Sequence, residues 1–145
     1  LKYAYWDGAD WQIQTVDNEG DVGRYSSLAL DSNDYPHISY YDSSNVDLKY
    51  AYWNGADWQI QIADSEGGGH TSLALDSNGY PHISCCANFD LKYTYWDGAG
   101  WQIQTIDSEG DVGFWTSLTL GSNDYPHISY HYFTNHDRNN HNQPR

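Results

Sequence analysis

The chain has 145 residues, the size of one domain, and its 17% aromatic content, with 14 Tyr, 7 Trp and no Met, is the composition of an all-β protein. Twenty acidic against six basic side chains leave a net charge of −14, which repels nucleic-acid phosphates and anionic lipid and excludes both as expected partners. Neutral sugars and divalent cations remain compatible with such a surface.

In chain order, the first predicted elements are LKYAYW at 1–6 and WQIQTV at 11–16, two strands facing each other across the stretch WDGADW. The loop DNEGD follows at 17–21. Four strands come next, Ser27 to Leu30, Pro36 to Tyr41, Leu48 to Trp53 and Trp58 to Ile62, joined through DSND, DSSNVD and NGAD. The same text then returns: TSLAL, PHISCC, LKYTYW and WQIQTI, and finally TSLTL and PHISYHY. No segment spaces its apolar residues at helical intervals.

LKY starts at Leu1, Leu48 and Leu91, spacings of 47 and 43 residues. Self-similarity at that period, with four short strands per unit, predicts a β-propeller of four-stranded blades. Each chain holds three blade equivalents, two whole and one split between the termini. The units are 1–47, 48–90 and 91–133, and 134–145 is a polar tail. The wholly apolar SLAL strand suits an inner position covered on both faces, and WQIQ suits an outer edge.

On the motifs S-L-A-L-D-S-N-G-Y-P-H-I-S and L-K-Y-A-Y-W, the chain resembles the tandem repeat-type β-propellers of bacteria and archaea. The hairpin of Trp96, Asp97, Gly98, Gly100 and Trp101 is also similar to that of the six-bladed fucose-binding lectins of bacteria and fungi. That second resemblance implies a propeller assembled from short chains and an aromatic hairpin in every blade. Where those lectins carry a sugar-binding Arg this chain has Ser39, Ser84 and Ser129, and Tyr3, Tyr50 and Tyr93 stand near the place of their acidic ligand. The resemblance therefore implies the architecture without fucose specificity.

The candidate ligand-binding residues are Trp6, Asp7 and Trp11, Trp53, Asn54 and Trp58, and Trp96, Asp97 and Trp101. Two readings are open for them. The paired Trp residues clasp the hairpin, contributing about 0.2 to 1 kcal/mol, or one indole face stacks on a sugar while the Asp accepts from its hydroxyls. DNEGD at 17–21 and DSEGD at 107–111 cluster oxygens that suit Ca²⁺, although DSEGG at 64–68 lacks the last carboxylate and no EF-hand spacing is present. As solvated turns they need no ion. His37, His82 and His127 read as one hydrogen-bonded structural histidine per unit, and Asp31 and Asp76 as turn formers replaced by Gly121 in the third. In the tail, His136, Asp137 and His141 are of the types that bind a transition metal weakly, but the segment reads rather as a polar, mobile end, and no metal site is expected. Cys85 and Cys86 replace aromatic pairs inside a strand, where neighbours point to opposite faces, so free thiols are expected.

An active site needs an asymmetric set of groups, so it should lie where the copies differ. They differ at Arg24, His70, Phe114, Trp115, the cysteines and the tail, and none of these pairs a nucleophile with a base. The reading is a non-enzymatic extracellular module, secreted or at the cell surface, that recognises neutral glycans. A self-assembling structural or adhesive protein is the alternative, and a polysaccharide lyase or glycosidase the second alternative. No apolar run spans a bilayer, and the text opens inside a repeat, so a processed chain or a piece of a longer one is expected. Half a blade at each end predicts strand exchange between copies, as a dimer closing a six-bladed ring or as a filament.

Overall fold

The computed structural model describes residues 1–133, all of them strand, turn or loop. β1 (Lys2–Trp6) and β2 (Trp11–Thr15) form a hairpin. β3 (Val22–Leu30), β4 (Pro36–Asp42), β5 (Asp47–Trp53) and β6 (Trp58–Asp64) form a four-stranded antiparallel sheet in that order. A second sheet repeats it with β7 (Gly69–Leu75), β8 (Pro81–Ala87), β9 (Asp90–Trp96) and β10 (Trp101–Asp107). β11 (Asp111–Leu120) and β12 (Pro126–Phe133) form a last two-stranded pair. The tail residues His136, Asp137 and His141 lie outside the described residues.

Each sheet is a meander whose outer hairpin is set by one turn chemistry. Trp6 faces Trp11, Trp53 faces Trp58 and Trp96 faces Trp101 across the ladder. Between them the chain reverses on a glycine at positive φ, +103° at Gly8, +97° at Gly55 and +96° at Gly98, which a residue without Cβ adopts at no steric cost. The alternating WQIQ text then leaves Ile13, Ile60 and Ile103 facing solvent at the sheet edge.

The four units stack face to face in chain order, and the core lies between them. Val16 of the first hairpin packs on Ile38, Tyr40 and Ala51 of the first sheet. Leu48, Tyr50 and Ala63 of that sheet meet Leu73, Ile83 and Cys85 of the second. A lysine bridges each of these two contacts. Lys49 on β5 reaches back to Asp17 at 3.3 Å while pairing with Asp42 at 2.9 Å, and Lys92 on β9 reaches Asp64 at 3.4 Å.

The inner strands depart from the sequence reading in two ways. They begin earlier than SLAL, at Val22, Gly69 and Asp111, and are irregular in their upstream half. Tyr25, His70 and Trp115, at equivalent positions, carry φ of +54°, +52° and +47°. The cost of a left-handed residue with a side chain is of order 1–2 kcal/mol, and here the kink turns a carbonyl out of its own ladder toward the next sheet. Thr71 Oγ1 donates to the Tyr25 carbonyl at 2.7 Å, and Thr116 Oγ1 to that of His70 at 3.0 Å. Secondly, the SLAL strand is covered on both faces only in the second sheet. Leu73 is buried, whereas Leu28 and Leu30 of β3 are exposed.

Candidate functional site

The recurring site is a cleft between successive sheets at the end where the Trp hairpins lie. In the first, Tyr3, Tyr5 and Gln14 face Tyr35, Trp53 and Trp58 around a cavity of about 270 Å³. In the second, Tyr50, Tyr52 and Gln61 face Tyr80, Pro81 and Trp96 around about 290 Å³. Tyr3, Tyr5, Gln14, Tyr35 and Trp53 of the first are the equivalents of Tyr50, Tyr52, Gln61, Tyr80 and Trp96 of the second, which also takes in His37, so repetition of sequence becomes repetition of a concave aromatic surface.

Alternation on β1 and β5 builds one wall. Tyr3 and Tyr5 share a face and stack at 5.6 Å, as Tyr50 and Tyr52 do at 5.5 Å. The other wall is the following hairpin. Trp58 Nε1–H donates to Gln14 Oε1 at 3.0 Å and its ring meets Tyr3 edge-on at 5.5 Å. Trp101 does the same to Gln61 at 3.1 Å and Tyr50 at 5.5 Å. Trp58 and Trp101 are thus braces between sheets, and Trp53 and Trp96 turn their surfaces into the clefts. The two indoles of each of these hairpins also meet edge-on, at 5.9 Å and 5.7 Å, which is the geometry expected of a clasp.

The acidic members of the candidate set are placed differently. Asp7 Oδ1 accepts the N–H groups of Ala9 and Asp10 at 2.9 and 2.8 Å, and Oδ2 accepts Gln12 Nε2. Asp97 repeats this with Ala99, Gly100 and Gln102. Asn54 Oδ1 accepts from Ala56 and Asp57. The backbone donors of the turn hold the Asp7 and Asp97 carboxyls below the usual range. These side chains shape the hairpin, and none lines either cleft. Trp6 and Trp11 stand at 55% and 66% exposure.

Sequence reasoning missed the tyrosines as cleft walls, and their alternation in LKYAYW was the signal that marked one face. It also left unnamed the partners of the histidines. His37 Nε2 bonds Asp31 Oδ2 at 3.2 Å and His82 Nε2 bonds Asp76 Oδ2 at 3.0 Å. With the ring proton facing a carboxylate, Nδ1 accepts from the hydroxyl of Tyr50 or Tyr93. Burial pushes the Tyr50 phenol up and that of Tyr93 up to about 12, the reverse of what an activated phenolate needs. The array holds these rings in place, and its members His37 and Tyr50 also line the second cleft. His127 is exposed and has Gly121 in place of the Asp.

The acidic loops do not gather ligands around a point. Asp17 accepts the Tyr40 hydroxyl at 2.8 Å, the Glu19 N–H and the Lys49 ammonium, and Asp107 accepts Tyr130 at 2.7 Å. Among the described residues no group of three or more His, Cys, Asp or Glu is arranged to hold a metal ion. Cys85 and Cys86 are buried free thiols, and burial pushes that of Cys85 up to about 12. Arg24 forms an exposed ion pair with Asp21 at 2.6 Å.

No protein-family model matches the chain, and no curated protein matches it. Among solved structures it is similar to a fucose lectin from Kordia zhangzhouensis in complex with methyl-fucoside, with a TM-score of 0.55. The match has 19% identity and covers 77% of this chain and 85% of that one. At that identity the likeness speaks for an all-β fold in common. Among the described residues, no helix is long and apolar enough to cross a membrane.

Proposed function

We propose that the chain is a non-enzymatic, extracellular β-propeller module that binds neutral glycans in the clefts between its blades. On this reading the two four-stranded sheets are whole blades and the terminal pairs are the halves of a third. Two copies then close a ring of six.

The observation that carries the reading is the recurrence of the cleft: flat aromatic walls beside amide and hydroxyl groups, built twice from equivalent residues. Aromatic faces stack on the C–H face of a sugar, and such tips hydrogen-bond its hydroxyls. Of the named lining residues only Asp34, in the first cleft, is acidic, so a neutral ligand suits the pair better than an ionic one. The similar fucose lectin supports the class. Its sugar is not carried over, because Ser39 is spent on the Thr71 hydroxyl at 2.7 Å and Ser84 on that of Thr116.

A glycan array of neutral mono- and oligosaccharides tests this. Binding is expected; Trp53→Ala and Trp96→Ala should each remove one binding site per chain, and the double variant should weaken binding at least tenfold, with thermal unfolding followed in parallel. An array without sugar-dependent signal, or undiminished binding by a folded double variant, overturns the reading.

A further inference from the structure

We infer that the molecule carries a further site at the end of its sheets opposite the Trp hairpins: an aromatic cage for an organic ammonium cation, formed where the second sheet departs from the other units. The cage shares no residue with either aromatic cleft.

Two small residues open it. The inner strand sets Arg24 opposite Tyr41 in the first sheet and Phe114 opposite His131 in the last pair, whereas in the second sheet Gly69 stands opposite Cys86. A cavity of about 310 Å³ lies at that pair. Gly69 has no left-handed φ that would call for a glycine, and a Cβ added to it would meet the Tyr25 ring at 3.4 Å. Its backbone would accept a side chain; the open space would not survive one.

The β8–β9 turn is the second departure. Asn88 and Phe89, between the paired Ala87 and Asp90, have φ of +54° and +67°. A two-residue turn with both residues left-handed favours Asn-Gly, because a side chain at its second position is strained. Phe89 occupies that position and is 60% exposed, so burial does not offset the strain. Strain of this kind concentrates at ligand clamps, and Phe89 lines the cavity together with the kinked Tyr25 and His70.

The rings of Tyr41, Tyr25, His70, Phe114 and Phe89 follow one another along the cavity at centroid spacings of 6.4, 4.2, 5.4 and 6.3 Å. Aromatic faces are the negative side of the ring quadrupole and attract a cation placed over them. Among the described residues that line the cavity, Glu66 is the charged one, and Lys92 takes its Oε2 at 3.2 Å, which leaves Oε1 for a ligand. Burial makes the His70 imidazole less basic than usual, so at neutral pH it adds no opposing charge. A methylated ammonium suits this set, since its methyl groups pack on the rings while its charge meets their faces and the carboxylate. The net charge of −14 draws such a cation to the surface.

Choline chloride is the probe, and its uncharged isostere, with a tert-butyl group in place of trimethylammonium, is the control. Titrated at constant ionic strength and followed by amide chemical shifts, choline should move the Gly67, Gly68 and Gly69 signals saturably. It should bind at least about tenfold more tightly than the isostere. Gly69→Leu fills the cavity and should weaken choline binding by about tenfold or more. Phe89→Gly should weaken it as much while the melting temperature stays level or rises, and this variant decides the matter if Gly69→Leu misfolds. The Trp53→Ala, Trp96→Ala double variant should bind choline as before. No saturable shift, equal binding of the isostere, shifts confined to the Trp hairpins, or undiminished binding by a folded Phe89→Gly chain overturns the cage. A glycan array without signal changes none of these outcomes, so the two readings fail separately.

Discussion

The repeats act as internal controls for single residues. Thr94 has a buried hydroxyl without a hydrogen-bond partner, and the equivalent positions are Ala4 and Ala51. An unmet buried polar group costs about 1–3 kcal/mol, so Thr94→Ala should leave stability unchanged or raise it by up to about 1 kcal/mol, measured by denaturant unfolding at constant slope. At this scale the sequence was legible where chemistry is local. The Asp of the LDSN turn and the strand His could be foreseen as hydrogen-bonded, and both are in the first two units. The role of Asp7, Asn54 and Asp97 was not, because a carboxylate beside two indoles reads equally well as a ligand for sugar or for the turn N–H groups. Only the 2.8–2.9 Å distances to the backbone decide where those oxygens go.

Between elements, the cations on β5 and β9 hold each sheet in register with the one before. Lys49 is the more committed, since both its partners are buried, whereas Lys92 shares its charge with the exposed Glu66. Removing one partner of a buried pair costs about 3–5 kcal/mol, so Lys49→Met should destabilise by that order and more than Lys92→Met, as compared by thermal unfolding. Acid should act on the same contact. Burial raises the Asp42 carboxyl, but bonds from Asn45 and Lys49 outweigh it and bring it down to about 2. A carboxylate depressed in the folded state adds stability above its unfolded pKa of about 3.9, and that share is lost as pH falls toward 2. In Asp42→Asn the loss of melting temperature between pH 4 and pH 2 should be smaller than in the unaltered chain. Element order and the four-strand unit were readable from spacing alone. The start of each inner strand was not, because the kink at Tyr25, His70 and Trp115 and the glycines before it break the two-residue alternation that marks a strand.

For the whole molecule, the proposed ring of two copies makes a different prediction from any interface that uses one patch twice. A head-to-tail contact joins two distinct surfaces, so a defect in one is complemented by a copy whose defect lies in the other. Leu28 on β3 and Ile106 on β10 are exposed in the single chain, one on each of the two surfaces that the ring would join, so Leu28→Asp spoils the head and leaves the tail intact; Ile106→Asp does the reverse. Each alone has no sound junction. Mixed, the intact tail of the first meets the intact head of the second and forms one unaltered junction per pair, while the doubly altered junction stays open. Equimolar mixing of the two monomers should therefore regain a mass of twice 16.6 kDa by light scattering, and no more, because the spoiled ends block growth. Pairs should also form at lower affinity than in the unaltered chain if that chain closes a ring, since closure engages two junctions at once and the second forms at high effective concentration. A mixture that stays monomeric while the unaltered chain assembles means that a single junction is too weak to hold or that the contact is not head to tail. Raising the concentration a hundredfold separates these, because a weak junction then populates the pair and a contact of another geometry does not.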